Sequence, residues 1–124
     1  MSNSPTNVND YDAISTVIRG YLGGAISGRS DDMKAAFHEQ ATIFGHLGAD
    51  LVAGPIQNLY DWNDENGAAP SLHAQIASID LVNTVATVRL EIDNWTGHRF
   101  TDLFTLMKVE GKWKIMNKVF HLHQ

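Results

Sequence analysis

FTDLFTLMKVEGKWKIMNKVFH, residues 100–121, decides how this chain folds. Apolar residues alternate on both sides of Glu110-Gly111, and that dipeptide places a glycine where a two-residue hairpin loop needs positive φ. The stretch therefore reads as two antiparallel strands joined by a tight turn. If Val109 pairs with Lys112, Ile115 lies opposite Leu106, Asn117 opposite Phe104, Val119 opposite Asp102 and His121 opposite Phe100. Trp113, Ile115, Asn117, Val119 and His121 then share one face with Phe100, Asp102, Phe104 and Leu106. Lys112, Lys114, Met116, Lys118 and Phe120 form the opposite face.

The period of two continues upstream and predicts four strands, over 71–82, 85–95, 99–109 and 112–122. Asn83-Thr84 and the region of Thr96-Gly97-His98 supply the other turns. On 85–95, Ala86, Val88, Leu90, Ile92 and Asn94 oppose Thr87, Arg89, Glu91 and Asp93, so the first set is expected to face the core. Counting back from Asn83-Thr84 brings Gln75 beside Ile92 and His73 beside Asn94. The expected inner face is thus aliphatic at one end and polar at the other, where His73, Gln75, Asn94, Asp102, Asn117 and His121 gather.

Upstream of the strands the period changes to that of a helix. Ile14, Val17, Ile18, Tyr21, Leu22 and Ala25 fall on one helical face, with Asn9 or Asp10 as cap. Gly20, Gly23 and Gly24 each cost roughly 1 kcal/mol against alanine inside a helix. They mark either tolerated weakness near a helix end or a close approach to the sheet. Gly28 stops this helix, and Ser30 with Asp31 and Asp32 opens a second, short one ending near His38. Brief strands are expected over 41–46 and 49–54, and Gly54-Pro55 opens a third helix that ends before Gly67. Helices followed by a strand meander predict an α+β architecture.

The 124 residues suit one domain, expected over 9–124 behind a flexible segment 1–8. A formal net charge of −5 argues against a dedicated nucleic-acid partner. Without cysteine, disulfides, iron–sulfur clusters and thiol catalysis are excluded, which is compatible with a cytoplasmic location. The opening MSNSPTNVNDYD has neither a basic segment nor an apolar core, so no signal peptide is expected. No apolar run is long enough to place the chain in a membrane.

The closing stretch 100–121 resembles the last hairpin of the nuclear transport factor 2-like (NTF2-like) superfamily, especially the "putative lumazine-binding" branch near the SnoaL-like polyketide cyclases. SGRSDDMKAAFHEQATIFG (27–45) is similar to that branch's short helix ending in Phe-His before a strand. The resemblance implies a cone-shaped, cystatin-like fold, with three N-terminal helices packed on a curved antiparallel sheet. It also implies a pocket at the wide end and frequent dimerisation through the outer sheet face. Relatives of this fold include ketosteroid isomerase, scytalone dehydratase, limonene epoxide hydrolase, polyketide cyclases and non-catalytic binders. Fold alone therefore does not choose the activity.

Asp102 carries the most chemical information because it interrupts an apolar inward face between Phe100 and Phe104. A carboxylate there loses solvation, so its pKa should rise unless it is hydrogen-bonded. His121, diagonal to it on the paired strand, is the expected partner, and the two could form a general base with Asp102 fixing the imidazole tautomer. The competing reading is a satisfied polar cluster that orders the open end of the sheet. His38 reads as a helix cap or as a ligand contact at the pocket rim. Tyr21, Phe44, Tyr60, Trp62, Phe100, Phe104 and Trp113 could wall a pocket or simply fill the core, and as a set they suit a flat apolar guest. His73, Asn94 and Asn117 are expected to contact that guest at the polar end.

His121-Leu122-His123 has a spacing that metals can use, but no third ligand follows at a recognisable spacing, so no metal site is expected. P-loop, Rossmann, G-x-S-x-G and H-E-x-x-H signatures are missing from the sequence, and chemistry without a cofactor, or none, is the expectation. Arg89, Lys112, Lys114 and Lys118 lie on the expected outer face, which also carries Leu103, Met107, Met116, Phe120 and Trp95. So much apolar area predicts a homodimer through that face. Three functions stay open: a binder of a flat heterocyclic or polyketide-like small molecule, an isomerase, dehydratase or cyclase using Asp102 and His121, and an interaction module.

Overall fold

A computed structural model describes residues 8–123; the expected flexible segment lies, but for Val8, outside the described residues. Helix α1 spans Val8–Ser27 and is followed by two 3₁₀ turns, Ser30–Asp32 and Lys34–Ala36. Strands β1 (Phe37–Leu47) and β2 (Asp50–Pro55) come next, then helix α2 (Gln57–Asn66). The chain closes with β3 (His73–Val82), β4 (Val85–Trp95), β5 (His98–Val109) and β6 (Lys112–His123). No helix among the described residues is long and apolar enough to cross a membrane.

The six strands form one sheet in the order β2-β1-β6-β5-β4-β3. All neighbours are antiparallel except β1 and β6, which run parallel, so the sheet is mixed where a wholly antiparallel one was expected. Short hairpins set the meander, whereas the β1–β6 pairing joins opposite ends of the chain and leaves no local sequence signal. Thr96-Gly97 and Glu110-Gly111 have positive φ at both loop positions, the backbone that lets a two-residue loop match strand twist.

The apolar stripe of α1 buries Ile14, Ile18, Tyr21 and Ala25 against the sheet. Fully burying an aliphatic side chain of this kind is worth about 1.5–3 kcal/mol. Asp10 ties the start of α1 to the β5–β6 hairpin, accepting from Trp113 Nε1 at 3.2 Å and Lys108 Nζ at 3.1 Å. The second helix expected after Ser30 is two 3₁₀ turns, and α2 follows β2, so the three helices are not all N-terminal. Ser30 does not cap the turn it opens. Its hydroxyl donates to the Tyr60 carbonyl at 2.8 Å and its N–H to Asp64 Oδ1 at 2.7 Å, holding the segment against α2.

Three irregularities decide which side chains face the core. Between Ile115, paired with Leu106, and Asn117, paired with Thr105, Met116 has no partner. Ala77 is similarly extra on β3, and one extra residue lies on β4 between Ile92 and Trp95. One inserted residue reverses the face of everything beyond it, because the side-chain period is two. Lys118, Phe120 and Trp95 are therefore inward, and His121, Asn117, Asn94, His73 and Gln75 turn outward.

Candidate functional site

Asp102 sits on β5, whose alternation is unbroken through Phe100, Asp102, Phe104 and Leu106, so it faces inward as the sequence predicts. It is fully buried. Tyr21, one turn beyond Ile18 on the buried stripe of α1, donates its hydroxyl to Asp102 Oδ2 at 2.8 Å. Lys118 Nζ donates to the Tyr21 oxygen at 2.8 Å and lies 3.6 Å from Asp102 Oδ2. The ammonium also rests over the rings of Tyr21, Trp95 and Phe120, at 5.0, 5.3 and 5.5 Å from their centroids. Aromatic faces thus supply part of the stabilisation that water would give.

The three groups shift one another and are shifted by burial. Desolvation pushes Asp102 up, against the opposing pull of Lys118 and the Tyr21 hydrogen bond. Desolvation pulls Lys118 down, against the attraction of Asp102. Tyr21 is raised by burial and by the neighbouring carboxylate charge. Each shift favours the neutral form, as expected where burial disfavours charge. Asp102 Oδ1 and Trp95 Nε1 are buried without a hydrogen-bond partner, an acceptor and a donor left over beside the chain.

A cavity of about 330 Å³ reaches this cluster at Lys118, at the small end of ligand-sized pockets. Ile43 and Leu47 of β1 and Val52 of β2 form one wall, and Leu59 and Trp62 of α2 form another. Trp95, Phe100, Phe120 and Lys118 line the sheet side, and Lys118 is the one charged residue among the lining residues. Edge-to-face contacts link Trp62 to Trp95 at 5.2 Å and to Phe100 at 6.2 Å, and Phe100 to Phe120 at 5.8 Å. These rings brace one another and give the cavity a rigid apolar lining.

The structure gathers Tyr21, Trp62, Phe100, Phe104 and Asp102 from the residues singled out in the sequence, with Phe104 packed edge-on against Tyr21 at 5.4 Å. The other candidates lie elsewhere. His121 pairs with Thr101 on the exposed outer face and meets His123 edge-on, so the Asp102–His121 pair does not form. The Met116 bulge is the reason. It also sends Asn117 outward, where the amide donates to Thr42 Oγ1 at 2.9 Å. Asn94 adopts positive φ beside the Thr96-Gly97 turn and accepts the Gly97 N–H. His73 is exposed, across from Asp93 rather than Asn94. Phe44 is 41% exposed, since its neighbours Ile43 and Gly45 take the inner face.

His38 neither caps a helix nor reaches the cavity. It lies on β1, its Nδ1 accepts the Gln40 N–H at 3.0 Å, and it borders a surface hollow with Glu39, Glu110 and Lys112. No group of three or more histidines, aspartates or glutamates is placed to hold a metal ion among the described residues. Lys118, Trp95 and Phe120 were missed because strict alternation puts them outside. A signal was present: beyond Ile115 the larger apolar residues, Phe120 and Leu122, change parity, as does Trp95 beyond Ile92.

With this geometry in place, the chain is similar to several known proteins. A family profile described as "Putative lumazine-binding" matches residues 9–121. An NTF2-like protein of unknown function from Methylobacillus flagellatus KT shares 50% identity at a TM-score of 0.93, over 96% of both chains. Another, from Shewanella baltica OS155, shares 44% at a TM-score of 0.91, over 96% of this chain and 98% of that one. Aldolase FrzH of a Cladobotryum species is 30% identical over 114 residues, 91% of each chain. A match across nearly the whole described chain, on a six-stranded curved sheet closed by helices, places this protein in the "Putative lumazine-binding" family of the NTF2-like fold.

Proposed function

We propose that this small-molecule-binding NTF2-like protein takes a flat, largely apolar carbonyl compound into the aromatic cavity and moves a proton on it. The observation that carries this reading is Lys118, which lines a cavity otherwise walled almost wholly by apolar side chains and is linked behind that wall, through Tyr21, to buried Asp102. Proton transfer beside a carbonyl needs a base of suitable pKa and a donor for the developing oxyanion. Asp102, pushed up by burial, suits the base. Lys118 and the free indole N–H of Trp95 suit the donor. The name of Aldolase FrzH supports the same class of chemistry, since aldol reactions also turn on a proton next to a carbonyl. Heterocycles with ring carbonyls and polyketide-like guests both satisfy these demands.

The test has two arms. Native mass spectrometry of freshly purified protein, with Trp62 and Trp95 fluorescence as a titration signal, should reveal a bound aromatic carbonyl compound. Asp102→Asn should abolish turnover of that compound while changing its affinity only a few-fold. Turnover that survives the substitution removes the proton-transfer assignment, and a cavity that binds no such compound removes the whole reading.

We further propose a homodimer through the outer sheet face. Phe120 and Trp95 leave the expected patch, but Val119 joins it directly across from Leu103, with Val85 across from Met107. All four are exposed hydrophobic residues on a free sheet face. Sedimentation equilibrium that finds only monomer at tens of micromolar, roughly where weak interfaces still form, overturns it.

A further inference from the structure

We propose that Lys118 is a nucleophile, whose amine condenses with an aldehyde or ketone in the cavity to form an imine linked to the protein. The inference deepens the carbonyl-binding reading above and rests on it. Four observations carry it. Lys118 lines the cavity while being 3% exposed overall, so its approach is from the cavity rather than from bulk water. The bulge at Met116 is what turns it inward, and bulges beside functional sites often re-aim one side chain in this way. Its Nζ is held in place by Tyr21 at 2.8 Å and by three aromatic faces. Burial also favours its uncharged amine, the form that attacks carbonyl carbon.

The surroundings balance the reaction. The Nζ lone pair bonds to the carbonyl carbon, and the C=O π electrons move to oxygen. The proton now in excess on nitrogen has a path already drawn by hydrogen bonds, from Nζ to the Tyr21 oxygen and from the Tyr21 hydroxyl to Asp102 Oδ2. Protonated Asp102 gives a proton back to Tyr21, whose hydroxyl passes one to the carbinolamine oxygen on the carbon now bonded to Nζ. Loss of that oxygen as water, with the second nitrogen proton, leaves the C=N bond. One amine and one carbonyl give one imine and one water, with no oxidant or reductant. Such an imine withdraws electrons from the adjacent carbon and eases removal of its proton, which joins this step to the proposed proton transfer.

The experiment uses the intact protein with benzaldehyde and sodium cyanoborohydride at pH 7, followed by peptide mapping. Hydride from the borohydride reduces any imine and leaves a benzyl group on the nitrogen. The expected result is labelling of Lys118 several-fold faster than Lys34, Lys108, Lys112 or Lys114, because burial favours its free amine and the cavity holds the aldehyde against it. Lys118→Arg should remove that label and leave the slow surface labelling unchanged. Quenching of Trp62 and Trp95 by benzaldehyde is read in parallel on wild-type protein. Quenching without Lys118 labelling overturns the imine but leaves the binding reading intact. Neither quenching nor labelling overturns both, and labelling confined to the other lysines overturns the imine. Because the decisive map is made on the wild-type chain, the outcome does not depend on whether the variant folds.

Discussion

Tyr21 donates its hydroxyl to Asp102 Oδ2 over 2.8 Å, across 81 residues of chain. That bond joins the buried stripe of α1 to the inner face of β5, and it is what makes a fully buried carboxylate tolerable there. Tyr21→Phe deletes a single oxygen while keeping the ring that packs on Phe37 and Phe104. Both Asp102 and Lys118 lose a partner, so urea denaturation should show a loss of about 1–3 kcal/mol. A change within error would mean that the hydroxyl contributes nothing to holding the carboxylate.

Lys118 and Asp102 lie 3.6 Å apart in the same dry interior. Removing one partner strands the other, and breaking a buried pair commonly costs about 3–5 kcal/mol. Lys118→Met and Asp102→Asn should therefore each destabilise strongly, while the double variant loses less than the two losses added. A coupling energy of about 0.5–3 kcal/mol is expected for groups in contact. Strict additivity in denaturant melts would show that the two residues do not sense each other.

Much of this molecule was legible in the sequence, and the polar residues of β3, β4 and β6 that face the other way share one physical source. The four long strands and their three turns follow from alternation and from Glu110-Gly111 and Thr96-Gly97, and Asp102 was identified because nothing interrupts the alternation of β5. The failures at His121, Asn117, Asn94 and His73 all lie at or beyond an inserted residue on β6, β4 or β3. A bulge leaves composition unchanged and reverses facing. Its trace is the switch in parity of large apolar residues, which moves from Ile115 to Phe120 on β6 and from Ile92 to Trp95 on β4. The parallel seat of β1 beside β6 was illegible for another reason, since no short connection dictates it.

Gly23 and Gly24 are neighbours on α1 with opposite environments. Gly23 is exposed, and a Cβ there would meet nothing within 4 Å. A Cβ on Gly24 would sit 2.5 Å from Met33 Cβ and 2.9 Å from its backbone nitrogen. The close approach is thus to the 3₁₀ segment, not to the sheet. Gly23→Ala should stabilise by about 0.5–1 kcal/mol, the ordinary gain in a helix interior. Gly24→Ala should destabilise by about 1–3 kcal/mol through overpacking. Thermal melts that rank the pair the other way would contradict this packing.

Gly45 on β1 lies beside Phe120, and an added Cβ would come 2.5 Å from the phenyl ring. Phe120 lines the cavity and contacts Phe100, so the ring could only yield by moving into the space a ligand would fill. Gly45→Ala should lower stability by about 1–3 kcal/mol and weaken binding of any aromatic cavity ligand. Calorimetric titration on a folded variant separates the two effects. Unchanged affinity would mean that the ring yields away from the cavity.

The pH dependence of stability isolates Asp102. Burial raises its pKa above 3.8, so the native state binds this proton more tightly than the unfolded chain does. The resulting contribution is complete below 3.8 and is lost as pH rises through the raised native value. Asp64 and Glu91 behave oppositely. They are lowered, by the Ser30 backbone N–H and by the Thr101 hydroxyl respectively, and their contributions fade as pH falls through their native values. Lys118, lowered from 10.5, loses its contribution as pH falls through its own native value. The raw profile therefore sums opposed slopes, and a difference removes the terms common to both proteins. Wild-type minus Asp102→Asn stability, from urea melts at stepped pH, should decline as pH rises above 3.8 and level off once the native carboxyl has ionised. A difference that rises through this interval would mean that Tyr21 and Lys118 outweigh burial and hold the carboxylate below its ordinary value.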